Sequence, residues 1–83
     1  MSIEIAGMTY TRAPEAGETI KVRMQECGNF ITTKVWANGD LIAFDNMPKP
    51  DKPCREDAAR RKRERLAEKA TDHWEARGFT VDR

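Results

Sequence analysis

The chain has 83 residues, of which 35% are charged, yet 15 Lys or Arg and 14 Asp or Glu give a formal net charge of only +1. A chain of this length is expected to form one domain with a small core. Its near-neutral balance provides no overall acidic or basic excess that would favour nucleic acid or mimicry of it. Its apolar runs fall well short of the roughly 20 residues that a membrane span needs. Since no signal peptide is recognisable, we expect a cytoplasmic protein with no membrane partner.

Neither a metal site nor a catalytic centre is predicted. Cys27 and Cys54 are far apart, and neither has a Cys or His partner at a metal-binding spacing. We expect both thiols to be reduced rather than joined in a disulfide. No nucleophilic side chain stands at a recognisable catalytic spacing from His73, so general-base catalysis is not expected. The sequence therefore predicts a protein that is not an enzyme and has no cofactor.

The clearest pattern lies in residues 18–45, where three segments alternate apolar and polar residues. They are separated by Gly28-Asn29 and Asn38-Gly39, pairs that tolerate the positive φ of two-residue I′ and II′ hairpin turns. The pattern predicts a three-stranded antiparallel meander.

Two-residue turns also determine the register, because residues directly opposite each other share a face of the sheet. Val22 is expected to pair with Val35, and Val35 with Ile42. One face is then apolar and is predicted to pack against a helix; it contains Ile20, Val22, Met24, Ile31, Thr33, Val35, Ile42 and Phe44. The other face is mixed, with basic residues in its middle; it contains Lys21, Arg23, Gln25, Cys27, Phe30, Thr32, Lys34, Trp36, Leu41 and Ala43.

The remaining segments complete the expected fold. Residues 2–12 alternate with a phase shift at Gly7, which predicts an edge strand with a bulge or break there and brings the sheet to about residues 2–45. The proline-rich residues 46–52 are interpreted as a linker, with a ligand for aromatic-lined grooves as the alternative. Residues 78–83 are expected either to add a short edge strand or to pack onto the core.

Residues 53–77 read as one long helix, with proline in its first turn and Gly78 placed to end it. Its apolar stripe is richest in the C-terminal half, where Leu66, Ala70 and Trp74 are expected to pack on the sheet. The predicted fold class is α+β, an antiparallel meander of three to four strands packed on one long C-terminal helix.

The helix also carries the densest charge in the chain, formed by Arg60, Arg61, Lys62, Arg63 and Arg65. One interpretation is a solvated helix supported by i, i+4 ion pairs such as Glu56 with Arg60. Like-charged neighbours such as Arg61 and Arg65 cost stability, however, and favour a second interpretation. In that one, the cations bind an acidic protein surface or nucleic-acid phosphates.

A second candidate surface is the mixed sheet face, where Lys21, Arg23 and Lys34 surround Trp36. Basic residues interleaved with aromatic ones are typical of sheets that hold the backbone and stack the bases of single strands. The alternative is structural, with Trp36 covered by the N-terminal strand or the C-terminal tail.

Three segments resemble the small orphan proteins of phages and mobile elements, of which anti-CRISPR proteins are the best-known functional group. They are Trp36-Ala37-Asn38-Gly39-Asp40-Leu41-Ile42-Ala43, the linker Met47-Pro48-Lys49-Pro50, and Trp74-Glu75-Ala76-Arg77-Gly78 after the basic helix. The resemblance implies a non-enzymatic inhibitor that binds a Cas protein or an RNA-guided surveillance complex in the host cytoplasm and blocks DNA binding or cleavage. Many such inhibitors resemble DNA through acidic surfaces. Because this chain is neutral with a basic helix, the resemblance implies steric block of a protein surface.

Two hypotheses follow from the sequence. The first is an inhibitor that binds a larger protein partner through the basic helix or the mixed sheet face. The second is a small nucleic-acid-binding accessory protein that uses the Arg-rich helix.

Overall fold

The computed structural model describes residues 2–50 and 53–82, and within these it has an α+β fold with six strands and one helix. The strands form one sheet in the order β1-β2-β5-β4-β3-β6, antiparallel throughout except that β6 runs parallel to β3. The predicted α+β class is confirmed, but the sheet is mixed and has six strands rather than the three to four antiparallel strands expected. The elements are β1 (Ile3–Ile5), β2 (Met8–Tyr10), β3 (Thr19–Cys27), β4 (Phe30–Ala37), β5 (Asp40–Pro48), α1 (Pro53–Ala76) and β6 (Thr80–Asp82).

The central meander of β3, β4 and β5 is as predicted, and its second turn has the expected geometry. Asn38 and Gly39 both have positive φ, 49° and 84°. The Asn38 side-chain oxygen accepts a hydrogen bond of 2.9 Å from the Thr19 backbone N–H, and the Asn38 N–H donates to the Thr19 carbonyl. In the first hairpin Val22 lies opposite Val35, so the register derived from the sequence is confirmed there.

The register between β4 and β5 differs from the prediction because β5 contains a bulge. Val35 lies opposite Ala43 rather than Ile42, although the pairs nearest the turn are as expected. An extra residue in one strand reverses the face of every residue beyond it. Ala43 is therefore buried on the helix side with Ile42, and Phe44 is 51% exposed on the other side. The predicted faces of Ala43 and Phe44 were wrong for this reason.

The N-terminal segment is a hairpin rather than one bulged strand. Ala6 and Gly7 form its turn, with φ of 50° and 83°. Strand β2 then joins the sheet beside β5, where Tyr10 lies opposite Ala43 and the Thr11 N–H donates to the Ile42 carbonyl at 2.8 Å. The bulge in β5 thus lies where β2 joins the sheet.

The linker is shorter than predicted, because β5 extends to Pro48. Residues 49 and 50 follow the strand, whereas 51 and 52 lie outside the described residues. Helix α1 occupies almost the whole predicted range and ends before Gly78, which has a φ of 90°. The Phe79 N–H then donates to the Trp74 carbonyl at 3.0 Å. The tail forms the short edge strand β6, which was one of its two expected outcomes.

The core lies between α1 and one side of the sheet, which we call the covered face. Ala70 and Trp74 are 0% and 4% exposed, and Leu66 packs against the same cluster, as the helix pattern predicted. Trp74 meets Tyr10 and Phe79 edge-on, with ring centroids 5.6 and 5.4 Å apart. Its indole N–H donates to the Tyr10 hydroxyl at 3.0 Å. Burial raises the pKa of Tyr10, and the hydrogen bond from Trp74 partly offsets that rise.

Candidate functional site

The structure divides the basic cluster of the helix into two groups, and the first group holds the fold together. The Arg60 guanidinium lies 2.5 Å from the Glu26 carboxylate in β3. That hydrogen bond is the main reason why the pKa of Glu26 is below its ordinary value. Arg63 forms an ion pair with Asp45 in β5 and lies 3.1 Å from the Met47 sulfur. Arg60 and Arg63 therefore attach the N-terminal half of α1 to the covered face.

The second group faces away from these contacts. Arg61, Lys62 and Arg65 are exposed, and within residues 2–50 and 53–82 none of them forms an ion pair. Together with Arg55 they line a depression of about 610 Å³ beside the end of β5. We call this depression the cationic groove; its other lining residues are Met47, Pro50, Ala58 and Ala59.

The groove combines positive charge with apolar surface. Like charges three or four residues apart on a helix, such as Arg61 and Arg65, repel each other and destabilise it. No carboxylate lines this depression among the described residues. An anionic group placed in the groove would remove the repulsion and form charge-assisted hydrogen bonds, while Met47 and Pro50 offer apolar contact beside it.

The other side of the sheet is not covered by the helix, and we call it the open face. Lys21 lies opposite Trp36 across β3 and β4, with its ammonium 5.8 Å from the centre of the Trp36 ring system. The terminal strands β1, β2 and β6 extend the sheet at its edges and do not fold over the open face. Trp36 is therefore partly exposed. The structural alternative, in which an end of the chain covers Trp36, is not what the structure shows. On the three central strands the open face contains Lys21, Arg23, Gln25, Phe30, Thr32, Lys34, Trp36, Leu41, Phe44 and Asn46.

The three cations of the open face differ in their surroundings. Arg23 donates to the Val22 and Asp82 carbonyls at 2.8 and 2.9 Å, and its guanidinium lies 3.7 Å from the Asp82 carboxylate. It therefore holds the C-terminal strand in place. Lys34 has no ion pair among the residues that the structure describes, and its Cα partner on β5 is Phe44. Lys21 and Lys34 are the two cations that remain available to a ligand.

Sequence reasoning missed two contributors to these surfaces. Met47 lines the cationic groove, but the sequence placed it in a linker rather than in a strand. Phe44 is exposed on the open face, but the register assigned it to the core. Met47 was missed because β5 continues into the segment that was predicted to be a linker. The bulge that moves Phe44 has no clear signal in the sequence, since Ile42 and Ala43 are ordinary strand residues and neither is Gly or Pro.

The described part of the chain contains no group of three or more His, Cys, Asp or Glu side chains arranged to hold a metal ion. The Cys27 and Cys54 side chains lie outside the described residues. His73 accepts a hydrogen bond of 2.9 Å from the Arg77 guanidinium, and burial together with that positive charge lowers its pKa. Along the same described residues, no helix is both long and apolar enough to cross a bilayer.

Comparison with models of known protein families, with curated protein sequences and with solved structures gave no match. The functional assignment therefore depends on the cationic groove and the open face.

Proposed function

We propose that this protein is a non-enzymatic binding protein whose cationic groove docks on an acidic surface of a larger protein. The observation that carries the proposal is the division of the helix charges. Arg60 and Arg63 are used by the fold, whereas Arg61, Lys62 and Arg65 are exposed beside an apolar strip. A helix stabilised only by its own ion pairs would gain nothing from this second group.

The apolar lining of the groove favours a protein over a nucleic-acid duplex. Phosphates need cations and hydrogen-bond donors, and gain little from side chains such as Met47 and Pro50. A protein surface offers both carboxylates and apolar side chains, and Arg and Met are both enriched at protein interfaces. The arrangement therefore supports a protein partner at this groove.

The resemblance of the chain to anti-CRISPR proteins supports a more specific form of the proposal. In this form the partner is a Cas protein or an RNA-guided surveillance complex in the host cytoplasm. Docking of the groove would block DNA binding or cleavage by occupying a surface that the effector needs, without catalysis by this chain.

The test compares two charge reversals one helical turn apart. Arg65→Glu changes the groove, and Lys69→Glu makes the same charge change outside it. Both side chains are exposed, and exposed charges contribute less than about 1 kcal/mol each to stability, so both variants should melt close to the wild type. Because charge-assisted hydrogen bonds contribute about 1.5–3 kcal/mol each, Arg65→Glu should weaken partner binding about tenfold or more, and Arg61→Glu/Arg65→Glu should weaken it further.

The assay adds each variant to purified RNA-guided effector complexes and measures target-DNA binding and cleavage. A parallel pull-down from host lysate, with and without nuclease, separates a protein partner from one held through nucleic acid. Equal activity of Arg65→Glu and Lys69→Glu would exclude the groove as the docking surface. If the wild type binds a protein complex but has no effect on DNA binding or cleavage, the proposed docking stands and the proposed inhibition is rejected.

The alternative function, a nucleic-acid-binding accessory protein, was predicted for the Arg-rich helix. The exposed aromatic and basic side chains of the open face, rather than those of the helix, are what favours nucleic-acid binding.

A further inference from the structure

We infer that the open face is a binding platform for single-stranded nucleic acid, separate from the cationic groove and on the other side of the sheet. The platform uses Phe30, Trp36 and Phe44 to stack bases, and Lys21 and Lys34 to contact phosphates. It is independent of the protein docking proposed above.

The aromatic side chains have the exposure that stacking requires. Phe30 and Phe44 are 43% and 51% exposed, and Trp36 is partly exposed. Phe44 lies opposite Lys34, which sits two residues from Trp36 and four from Phe30 on β4. At about 3.3 Å per residue, Phe44 is offset by about 7 Å from Trp36 and about 13 Å from Phe30 along the strand. The three rings are thus spread along the sheet rather than clustered into a core.

The charge on this face is positive because the acidic residues of β3, β4 and β5 are directed elsewhere. Glu26 is bound by Arg60, and Asp45 by Arg63, both on the covered face. Asp40, at the turn, lies 3.2 Å from the Arg12 guanidinium. At the β6 edge of this face the Asp82 carboxylate lies 3.7 Å from the Arg23 guanidinium, and Asp82 is the register partner of Lys21. The central strands, which carry the aromatic rings, present cations on this face and no carboxylate of their own. An anionic ligand with aromatic faces complements this surface better than a neutral or cationic one.

A shallow depression between Phe30, Lys34 and Phe44 adds polar groups that suit a base edge. It measures about 260 Å³ and is also lined by Gln25, Thr32 and Asn46. The Thr32 hydroxyl donates to the Asn46 side-chain oxygen at 3.0 Å, which leaves the Asn46 amide group oriented and able to donate. Amide side chains bind the edges of bases through paired donors and acceptors.

The same features distinguish a single strand from the other candidate ligands. In a duplex the base faces are stacked on each other and cannot reach exposed rings such as Phe44. Aromatic side chains also suit a protein interface, but lysine is depleted there, and both available cations of this platform, Lys21 and Lys34, are lysines, whereas most cations of the groove are arginines. The chemistry thus matches single-stranded DNA or RNA.

The test measures fluorescence anisotropy of labelled ten-nucleotide oligo(dT) and oligo(U), with a ten-base-pair duplex as comparison. At least one of the two single strands should bind more tightly than the duplex. Binding should also quench the emission of Trp36, which is accessible, and leave that of the buried Trp74 unchanged. A preference for oligo(U) would indicate RNA, and a preference for oligo(dT) would indicate DNA. With two phosphate contacts, log affinity should fall with log salt with a slope of about −1.4.

Three variants separate stacking from other binding modes. Phe44→Leu keeps an apolar side chain but removes the ring, and should weaken binding about fivefold or more, the lower end of the range for one stacked base. Phe44→Tyr keeps the ring and should bind within about twofold of the wild type. Ile3→Ala alters a residue that is 38% exposed at the sheet edge, outside the platform, and should have no effect.

A groove variant then tests the independence of the two surfaces. Arg61→Gln/Arg65→Gln, measured at physiological salt, should retain oligonucleotide binding, because charges beyond about 8 Å are screened there. The inference is overturned if neither oligonucleotide binds at low salt, or if the duplex binds as tightly as the single strands. It is also overturned if folded Phe44→Leu binds like the wild type, or if only the groove variant loses binding.

Discussion

Replacement of Trp74 tests the contact on which the helix and the sheet depend. The side chain is 4% exposed, packs between Tyr10 and Phe79, and donates its indole N–H to the Tyr10 hydroxyl. Truncation of a buried Trp to Ala costs about 3–5 kcal/mol. A domain of this size has about 4–12 kcal/mol of stability in total, at about 0.05–0.15 kcal/mol per residue. Trp74→Ala should therefore lose a large part of its stability or fail to fold.

A double-mutant cycle measures the hydrogen bond without emptying the core. Trp74→Phe leaves the Tyr10 hydroxyl buried without its donor, and Tyr10→Phe leaves the Trp74 N–H without its acceptor. Each single change should cost about 1–3 kcal/mol, since an unsatisfied buried polar group carries its full desolvation penalty. The double variant has neither orphaned group, so its cost should be smaller than the sum of the two by about 1 kcal/mol or more.

Urea unfolding followed by far-ultraviolet circular dichroism gives these free energies without relying on tryptophan fluorescence. The m-value should stay constant, since the same surface is exposed on unfolding. Trp36→Phe serves as the control, because Trp36 is partly exposed on the open face and its replacement should change stability by no more than about 0.5 kcal/mol. The packing argument would be refuted by a Trp74→Ala protein within about 1 kcal/mol of the wild type. If the free-energy cost of the double variant equalled the sum of the two single costs, the hydrogen bond would be refuted but the packing would not.

Two further predictions concern the second hairpin and the end of the helix. Gly39 has a φ of 84° and no atom near the position of a Cβ, so Gly39→Val should lower stability by about 1–2 kcal/mol through backbone strain alone, whereas Gly39→Asn should lose less. Equal thermal midpoints for the two variants would contradict this. Burial and Arg77 lower the pKa of His73 from its ordinary value of 6.5, so the unfolded chain binds this proton more readily. Its contribution to stability should therefore fall as pH decreases through 6.5, and His73→Gln, measured by urea unfolding at pH 5 and pH 8, should show a smaller difference between the two pH values than the wild type.

The parts of the fold that could be predicted from the sequence are those with local signals. Asn38-Gly39 specifies a turn because few residues other than Asn and Gly adopt positive φ readily. The helix could be placed because Pro53 suits its first turn and Gly78 suits its end. Trp74 and Ala70 could be assigned to the core from helical spacing alone. In each case the physical cause lies within a few residues of its effect.

The parts that could not be predicted depend on contacts between distant segments. The parallel pairing of β6 with β3 brings Val81 beside Ile20, and no local pattern specifies that partner. The sequence also did not show which cations of the helix are used by the fold and which remain available to a partner. Arg60 and Arg61 are neighbours of the same chemical type, and it is the position of Glu26 on β3 that makes Arg60 structural.

The one-residue bulge at Ile42 connects the two proposed surfaces. Without it, Phe44 would point toward the helix, as the uninterrupted register predicted, and Asp45 would then point toward the open face. With it, Asp45 reaches Arg63 and helps to hold the helix, while Phe44 joins Trp36 on the open face. The same shift removes a carboxylate from the open face and adds an aromatic ring to it. This single backbone irregularity thus decides that Asp45 holds the helix and that Phe44 remains for a ligand, and it explains why this part of the site was harder to derive from the sequence than the fold.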